Sequence, residues 1–282
     1  MDANDVTAGR ARGRVALRVG STGPYSSELT AGQIGAIADI AERYGSGAVH
    51  VTPRQTMEIP HIDIAALPDV TTLLAGHGLH IGYAGRRPRN VTACSHWCLY
   101  NVAPMRDAAL QLNCLLNENE NEKMPLPGKT NISLSGCGFS CVRSRTSDVG
   151  VIARSEIVIT DKKCKKCSLC VKEPLGCQVD AITLAEGAVV IDRQKCVRCG
   201  FCSGVCRPGS IMMKSKSFDV FIGGNGGLKP REAFLYRTVP SLREAMELIG
   251  SLLEGYRAHA REGERIGDLI ERAGMEWPGQ KT

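Results

Sequence analysis

Eight cysteines in the second half of the chain form two runs of similar spacing. They are Cys164-x2-Cys167-x2-Cys170-x6-Cys177 and Cys196-x2-Cys199-x2-Cys202-x3-Cys206, the second followed by Arg207-Pro208. Thiolates repeated at these intervals are typical ligands of two cubane [4Fe–4S] clusters. Zinc is a weaker interpretation, because a structural zinc site uses Cys-x2-Cys pairs without a third cysteine so close behind. A disulfide framework is the other alternative. The spacing therefore favours a pair of iron–sulfur clusters.

This segment resembles a bacterial-type ferredoxin domain, in which the fourth cysteine of each run ligates the cluster of the other run. Ala181-Ile182 and Ser210-Ile211 follow the fourth cysteines, as in that domain. The resemblance implies two ligand sets, which are Cys164, Cys167, Cys170 and Cys206 for one cluster, and Cys196, Cys199, Cys202 and Cys177 for the other. The gap before Cys177 is longer than is usual in that domain, which predicts a small loop insertion.

The composition favours a protein of a reducing compartment. The 282 residues include 13 cysteines, with no apolar signal segment over Met1–Arg18 and no apolar run of bilayer length. Chains rich in unpaired thiols belong where thiols stay reduced. We therefore expect a cytoplasmic protein with no membrane span.

The net charge of +6 is concentrated in the cysteine-rich segment. Residues 161–216 carry eleven Lys and Arg against five Asp and Glu, a surplus of six. These cations offset the negative charge of thiolate-bound clusters, or they form a docking surface for an acidic electron donor of the ferredoxin or flavoprotein type. Aromatic residues do not alternate with the cations, which argues against nucleic acid as a partner.

The first third of the chain predicts an α+β half-domain. Residues 1–13 are small and polar and predict a frayed tail. The alternation of Val15, Leu17 and Val19 predicts a strand, and apolar residues at helical spacing after Thr30, a plausible N-cap, predict a helix. A strand pair at Ala48–Val51 and Met57–Ile59 and a helix at Ile64–His77 complete the half-domain.

The rest of the chain predicts a second α+β unit that is interrupted by the cysteine-rich segment. Its expected elements are a helix from Pro104 to about Asn119, strands Asn131–Ser135 and Phe218–Ile222, and helices Leu242–Gly263 and Arg265–Ala273. If the two strands share a sheet, the ferredoxin segment is inserted rather than appended. The predicted domains are residues 13–85, residues 86–156 with 217–282, and an insert at 157–216.

Motifs along nearly the whole chain resemble the nitrite/sulfite reductase family, which binds sirohaem coupled to a [4Fe–4S] cluster. In the family's order they are Thr52-x-Arg54-Gln55, Arg89-Asn90-Val91, Cys94, Leu126-Pro127-x-Lys129, Ser135-Gly136-Cys137-x3-Cys141, Asp148-x-Gly150 and the Gly223–Gly227 loop. The insert lies where anaerobic and dissimilatory sulfite reductase subunits of that family carry one. The resemblance implies an α+β fold with a ferredoxin-like half-domain, a sirohaem-binding domain and an inserted ferredoxin domain with two [4Fe–4S] clusters.

The resemblance also implies the site residues. A third cluster would be held by Cys94, Cys98, Cys137 and Cys141, with Cys141 as the thiolate that bridges to the sirohaem iron. A small oxyanion substrate would be held by Arg54, Arg89 and Lys129, with Asn131 beside them, because fixed cations stabilise departing oxygen and deliver protons. The sirohaem would be contacted by Arg54, Arg89, Asn90, Gly223, Gly224, Gly226 and Gly227. Cys114 stands outside these motifs and is interpreted as a core residue.

Two departures from the family pattern keep alternatives open. The family spaces its first cysteine pair more widely than Cys94-x3-Cys98, so the loop is either shortened with ligation kept, or altered so that ligation is lost. Asn131 stands where sulfite reductases place a second lysine. One ammonium fewer disfavours a dianion such as sulfite more than it disfavours nitrite.

Only one copy of the family's repeat is present, so we expect a homodimer, or a hetero-oligomer with a homologous or electron-input subunit. Arg54 and Arg89 would then face a haem whose cysteine ligands come from the other protomer. The leading hypothesis is a sulfite reductase that forms sulfide. The alternatives are a nitrite reductase and a non-catalytic iron–sulfur electron-transfer subunit.

Overall fold

The computed structural model describes residues 7–8, 13–21, 28–81, 91–117, 126–172 and 174–274. Two α+β units follow one another along the chain, and a small lobe interrupts the second. Within the described residues, no helix is both long enough and apolar enough to cross a membrane.

The N-terminal half-domain is a five-stranded antiparallel sheet packed against two helices. Its elements are β1 (Thr7–Ala8), β2 (Arg14–Ser21), α1 (Ala31–Tyr44), β3 (His50–Val51), β4 (Met57–Asp63), a 3-10 turn (Ile64–Ala66), α2 (Leu67–Gly76) and β5 (Leu79–Ile81). β2 pairs with β4 on one side and with β1 and β5 on the other. Thr30 caps α1 as expected, since its Oγ1 accepts from the Gln33 amide at 3.2 Å and its own amide donates to Gln33 Oε1 at 3.0 Å.

The core of this unit follows from the sequence pattern. Leu17, Ile37, Ile59 and Leu74 come from strands and helices on facing layers, and all are fully buried. The predicted tail is wrong at one point, because Thr7–Ala8 pairs with β2 as an edge strand. Two residues without apolar alternation give no strand signal of their own, so only pairing reveals them.

The second unit is a mixed five-stranded sheet in the order β12-β11-β8-β7-β6. Its elements are β6 (Thr92–Ala93), α3 (Met105–Asn117), β7 (Ile132–Ser135), a 3-10 turn (Ser144–Thr146), β8 (Val149–Ile159), β11 (Ile211–Ile222), β12 (Phe234–Val239), α5 (Leu242–His259) and α6 (Ile266–Ala273). β6, β7 and β8 are parallel, whereas β8, β11 and β12 are antiparallel. The predicted strands at 131–135 and 218–222 do lie in one sheet.

Strand β8 and the first half of β11 were not predicted, and they form the longest ladder of the fold. Pairing runs from Val149–Ile222 to Ile159–Ile211. The alternation is hidden because Arg154, Ser155 and Asp219 are buried in the middle of the ladder. Arg154 Nε donates to Asp219 Oδ2 at 2.8 Å, which pairs the buried charges.

The inserted lobe follows β8 and ends where β11 begins. It contains a hairpin of β9 (Ile182–Ala185) and β10 (Ala188–Ile191) and a short helix α4 (Phe201–Val205). Its small core joins Ile182 and Val189 to Ile157 and Ile211 at the end of the ladder. The insert therefore grows out of two adjacent strands, and the exact domain limits stay a prediction.

Candidate functional site

The structure collects twelve cysteines into three groups. In the outer group, Cys170 lies close enough to Cys164, Cys167 and Cys206 for their charges to affect its ionisation. In the inner group, Cys202 has the same relation to Cys177, Cys196 and Cys199. In the core group, Cys94 lies near Cys98 and Cys141, and Cys137 near Cys94 and Cys98. The fourth cysteine of each run thus joins the other run, as the ferredoxin resemblance implies.

The two runs share an unusual backbone that turns their thiols inward. Lys166 and Ser168 flank Cys167 with φ of 53° and 62°, and Arg198 and Gly200 flank Cys199 with φ of 58° and 78°. Residues other than glycine rarely adopt this left-handed conformation. Its repetition at matching positions shows that the two halves of the insert are structural repeats.

A cavity lies at the inner group and is lined by all four of its cysteines. The remaining lining is largely apolar, including Tyr100, Phe139 and Leu175. Among the described residues, no three His, Cys, Asp or Glu side chains converge as they would around a single metal ion. Thiolates of a cubane cluster stand outside a four-iron cube and are farther apart than the ligands of one ion. Four thiols that line one cavity supply the donor set of a cubane cluster.

Backbone amides point at the sulfur atoms in every group. The Gly136 amide donates to Cys94 Sγ at 3.2 Å, Ala181 to Cys177 Sγ at 3.4 Å and Ile211 to Cys206 Sγ at 3.3 Å. Such N–H···S bonds stabilise thiolates and tune the potential of bound clusters. Burial works the other way and raises the pKa of Cys137 to about 11 and that of Cys202 to about 12. At neutral pH these thiols therefore ionise only when a cation replaces the proton.

The core group is built at the ends of two parallel strands. Cys94 follows β6 and Cys137 follows β7, whose Leu134 carbonyl accepts from the Cys94 amide at 3.1 Å. A Cβ at Gly136 would overlap the side chain of Asn101, which would have to move. The short Cys94-x3-Cys98 loop still keeps Cys98 within the group, which favours the shortened-loop interpretation. Ligation itself stays a prediction.

The core group and the inner group are neighbours. Cys199 is close enough to Cys137 to affect its ionisation. A Cβ at Gly138 would overlap the Val197 carbonyl, to which Arg154 Nη1 donates at 3.1 Å. The rings of Phe139 and Phe201 both pack against Tyr100, the first edge-on and the second tilted, with centroids 5.3 and 4.6 Å away. The insert is thus seated on the core group through a glycine contact and an aromatic cluster.

The half-domain reaches this sheet through one tight turn. The Thr52 amide donates to the Thr56 carbonyl at 2.9 Å, and Gln55 has a left-handed φ of 57°. Gln55 then bonds Ala93 reciprocally, with Nε2 donating to its carbonyl at 2.7 Å and Oε1 accepting from its amide at 2.9 Å. Arg54 Nε donates to Asn131 Oδ1 at 3.1 Å. Two predicted site residues from different units therefore meet.

A buried carboxylate holds this contact in place. Asp148 accepts from the Asn131 amide at 2.8 Å and from Arg265 Nη2 and Nε at 2.6 and 2.9 Å. Arg265 Nη1 also donates to Asn225 Oδ1 in the glycine loop at 2.7 Å. Burial raises the pKa of Asp148, and the Arg265 guanidinium opposes that shift. Burial, with Arg18 and Arg265 nearby, lowers the pKa of Arg54, while Asp148 raises it.

Sequence reasoning had placed Asp148 and Asn225 in motifs without giving either a role, and it missed Arg265 altogether. An arginine at a helix start carries no distinguishing signal, and 117 residues separate it from Asp148. Lys129 lies exposed near Asn131 in the chain. Arg89 and Asn90 lie outside the described residues.

The glycine loop is explained in part by packing. A Cβ at Gly224 would lie 2.5 Å from the Ser147 carbonyl, and Gly223 has a φ of +84° with Ile270 close by. Packing against neighbouring residues therefore requires glycine at these two positions. At Gly226 a Cβ would have room, because the nearest atom would be Thr146 Oγ1 at 3.7 Å. Cofactor contact stays a prediction for all four.

The Arg54–Asn131 contact and the core group lie at opposite ends of β7. Asn131 precedes the strand and Cys137 follows it. Four residues at about 3.3 Å each separate them by roughly 13 Å or more. Within one chain, Asn131 and Cys137 therefore do not lie close together.

Comparison with known proteins assigns both units. A family model described as the nitrite and sulphite reductase 4Fe-4S domain matches residues 84–281, and the nitrite/sulfite reductase ferredoxin-like half domain matches residues 10–77. The crystal structure of dissimilatory sulfite reductase I aligns with a TM-score of 0.70 at 18% identity, over 93% of this chain and 67% of that one. The predicted α+β fold with a ferredoxin-like half-domain is confirmed.

Two relatives from Methanocaldococcus jannaschii extend the similarity. An uncharacterized protein is 28% identical over 248 residues, which cover 88% of this chain and 84% of that protein. The coenzyme F420-dependent sulfite reductase is 28% identical over 244 residues, which cover 86% of this chain and 38% of the enzyme. The chain thus spans well under half of that enzyme.

Proposed function

Because the chain belongs to the nitrite and sulphite reductase family, we propose that it is a sirohaem-dependent sulfite reductase, or the catalytic subunit of one, that forms sulfide with electrons passed through three [4Fe–4S] clusters. The observation that carries this proposal is the position of the inner cysteine group against the core group, where Gly138 packs on the Val197 carbonyl. The name of the F420-dependent relative supports sulfite as the substrate.

Each cysteine group would hold one of the clusters that deliver electrons. The core group would hold the cluster coupled to sirohaem, with Cys141, which is exposed, as the bridging thiolate. When bound, sirohaem supplies an iron at which the sulfur of the oxyanion can be reduced in several one-electron steps. The inner and outer groups extend the path through the insert, so successive electrons can refill the core group.

The oxyanion would be held by cations that the protein fixes before the substrate arrives. Arg54 is oriented by Asn131, and Asn131 is oriented by Asp148 and Arg265. Cations held in advance stabilise charge on departing oxygen without reorganising during the reaction. Nitrite is a second candidate substrate, which Asn131 specifically favours.

Electrons would enter at the outer group, which lies farthest from the core group along this path. Cys167 is exposed there, beside four exposed lysines at positions 162, 163, 165 and 166. An acidic electron donor fits this surface because opposite charges steer encounter.

We expect the anaerobically purified protein to contain iron for three clusters together with sirohaem bands in its visible spectrum. Cys137→Ala should remove one cluster and the haem bands while two clusters remain, and Cys114→Ala, outside the three groups, should keep all of them. Iron for two clusters without haem bands in the wild-type chain would instead identify an electron-transfer subunit.

The active unit should contain at least two chains, with each site shared between them. Neither Arg54→Ala nor Cys141→Ala should be active alone, because each lacks one half of every site. Co-expressed with different tags, the two variants should recover about a quarter of wild-type activity, since only mixed dimers contain one intact site. Light scattering of the holoprotein checks the dimer, and an active monomer, or mixed dimers without activity, would contradict the shared site.

Removing lysines beside the outer group should slow reduction by a protein donor. For Lys165→Gln with Lys166→Gln, we expect the second-order rate constant with a small acidic ferredoxin to fall several-fold, with a weaker salt dependence. Lys214→Gln with Lys216→Gln makes the same charge change on β11, outside the two cysteine runs, and is the control. Dithionite should reduce all forms equally. Equal loss in both double variants would argue against entry at the outer group.

Charge at position 131 should set the preference between the two oxyanions. Asn131→Lys releases Arg54 from its acceptor and adds a cation, so the ratio of sulfite to nitrite turnover should rise by on the order of tenfold. Asn131→Asp keeps the acceptor for Arg54 but adds negative charge, so the same ratio should fall. Steady-state turnover with each substrate provides the measurement. If both variants leave the ratio unchanged, position 131 does not face the substrate.

A further inference from the structure

Ser210 carries a buried hydroxyl for which the described residues provide no partner. The residue is 2% exposed, and its Oγ has no hydrogen-bond partner among the described residues. Buried hydroxyls are almost always hydrogen-bonded, so an acceptor other than the described protein atoms is expected. Ser210 lines an open cleft together with Cys164 of the outer group.

The backbone around Ser210 is fixed against that same group. On one side Gly209 has a φ of +76°, and on the other the Ile211 amide donates to Cys206 Sγ at 3.3 Å. The Ser210 carbonyl accepts from the Thr160 amide at 2.9 Å. The hydroxyl is therefore one residue away from an amide that already contacts an outer-group sulfur.

The internal repeat places a different residue at the matching position of the inner group. Ser210 is four residues after Cys206, and Ala181 is four residues after Cys177. Ala181 is 1% exposed, its amide donates to Cys177 Sγ at 3.4 Å, and it lines the cavity that holds the inner group. The two positions share burial and proximity to sulfur, but only Ser210 has a donor on its side chain.

We propose that the Ser210 hydroxyl donates a hydrogen bond to a sulfur of the outer cluster and raises its reduction potential above the value it would have without this bond. The inference rests on the iron–sulfur part of the proposed function. Reduction adds one electron to a cluster, and an O–H···S bond stabilises the more negative, reduced form. The inner cluster, next to Ala181, lacks this contribution.

The asymmetry gives the outer cluster a distinct role. An electron received from the donor is held more firmly at the outer cluster than it would be with alanine at position 210. It would then move inward as the cluster held by the core group gives up electrons to the substrate. The outer cluster of the insert would thus hold electrons, and the inner cluster would pass them on.

Reductive titration of the anaerobic holoprotein, followed by electron paramagnetic resonance, tests the proposal without any measurement of turnover. Ser210→Ala should lower the midpoint potential of one insert cluster and leave the other clusters unchanged. Ser210→Thr keeps the hydroxyl and should keep the wild-type potential. Ala181→Ser should raise the potential of the other insert cluster.

The outcomes separate this proposal from the proposed function. Fully loaded Ser210→Ala protein with unchanged potentials would overturn the hydrogen bond while leaving the clusters intact. Equal shifts in both insert clusters would also overturn it, because they indicate a general change of the lobe. If Ser210→Ala fails to load its cluster, Ala181→Ser decides, and an unshifted potential there counts against the proposal. A wild-type chain without clusters would overturn both.

Discussion

The ladder between β8 and β11 is the constraint on which the rest of the structure depends. At one end its strands join β7 and the main core, and at the other they open into the insert. β7 leads directly to Cys137. The middle of β8 binds the inner run, since the Ser155 amide and Oγ both donate to the Arg198 carbonyl at 2.9 Å. One pair of strands therefore fixes the positions of two cysteine groups relative to each other.

A buried ion pair stabilises the middle of this ladder. Arg154 and Asp219 face each other within the sheet, and Thr238 Oγ1 donates to the second Asp219 oxygen at 2.8 Å. Arg154 also reaches across to Val197 in the insert. Losing one partner of such a pair leaves an uncompensated buried charge, which typically costs about 3–5 kcal/mol. The pair thus stabilises the observed register of the ladder and the observed position of the insert.

Local patterns in the sequence predicted a large part of this arrangement, and the exceptions share one cause. Cysteine spacing predicted which thiols gather, and apolar periodicity with a Thr30 cap predicted α1. Strand β8 was not predicted because the buried Arg154 interrupts its apolar sequence. The partner of Arg154 is Asp219, which lies 65 residues away in the chain. The Asp148–Arg265 pair was not predicted either, because its two residues are also distant in the chain. Polar residues whose partners are distant in the chain look like surface residues until the fold brings them together.

The geometry of β7 connects the fold to the expected assembly. A parallel strand carries the chain from one edge of the sheet to the other, so residues before and after it face opposite edges. Asn131 and its network with Arg54 lie at the first edge, and Cys137 lies at the second, where the insert is seated. A chain with one such strand presents both halves of the proposed site without closing them on each other. In the proposed shared site, a second copy turned by a two-fold axis would bring unlike halves together twice and so form two equivalent sites.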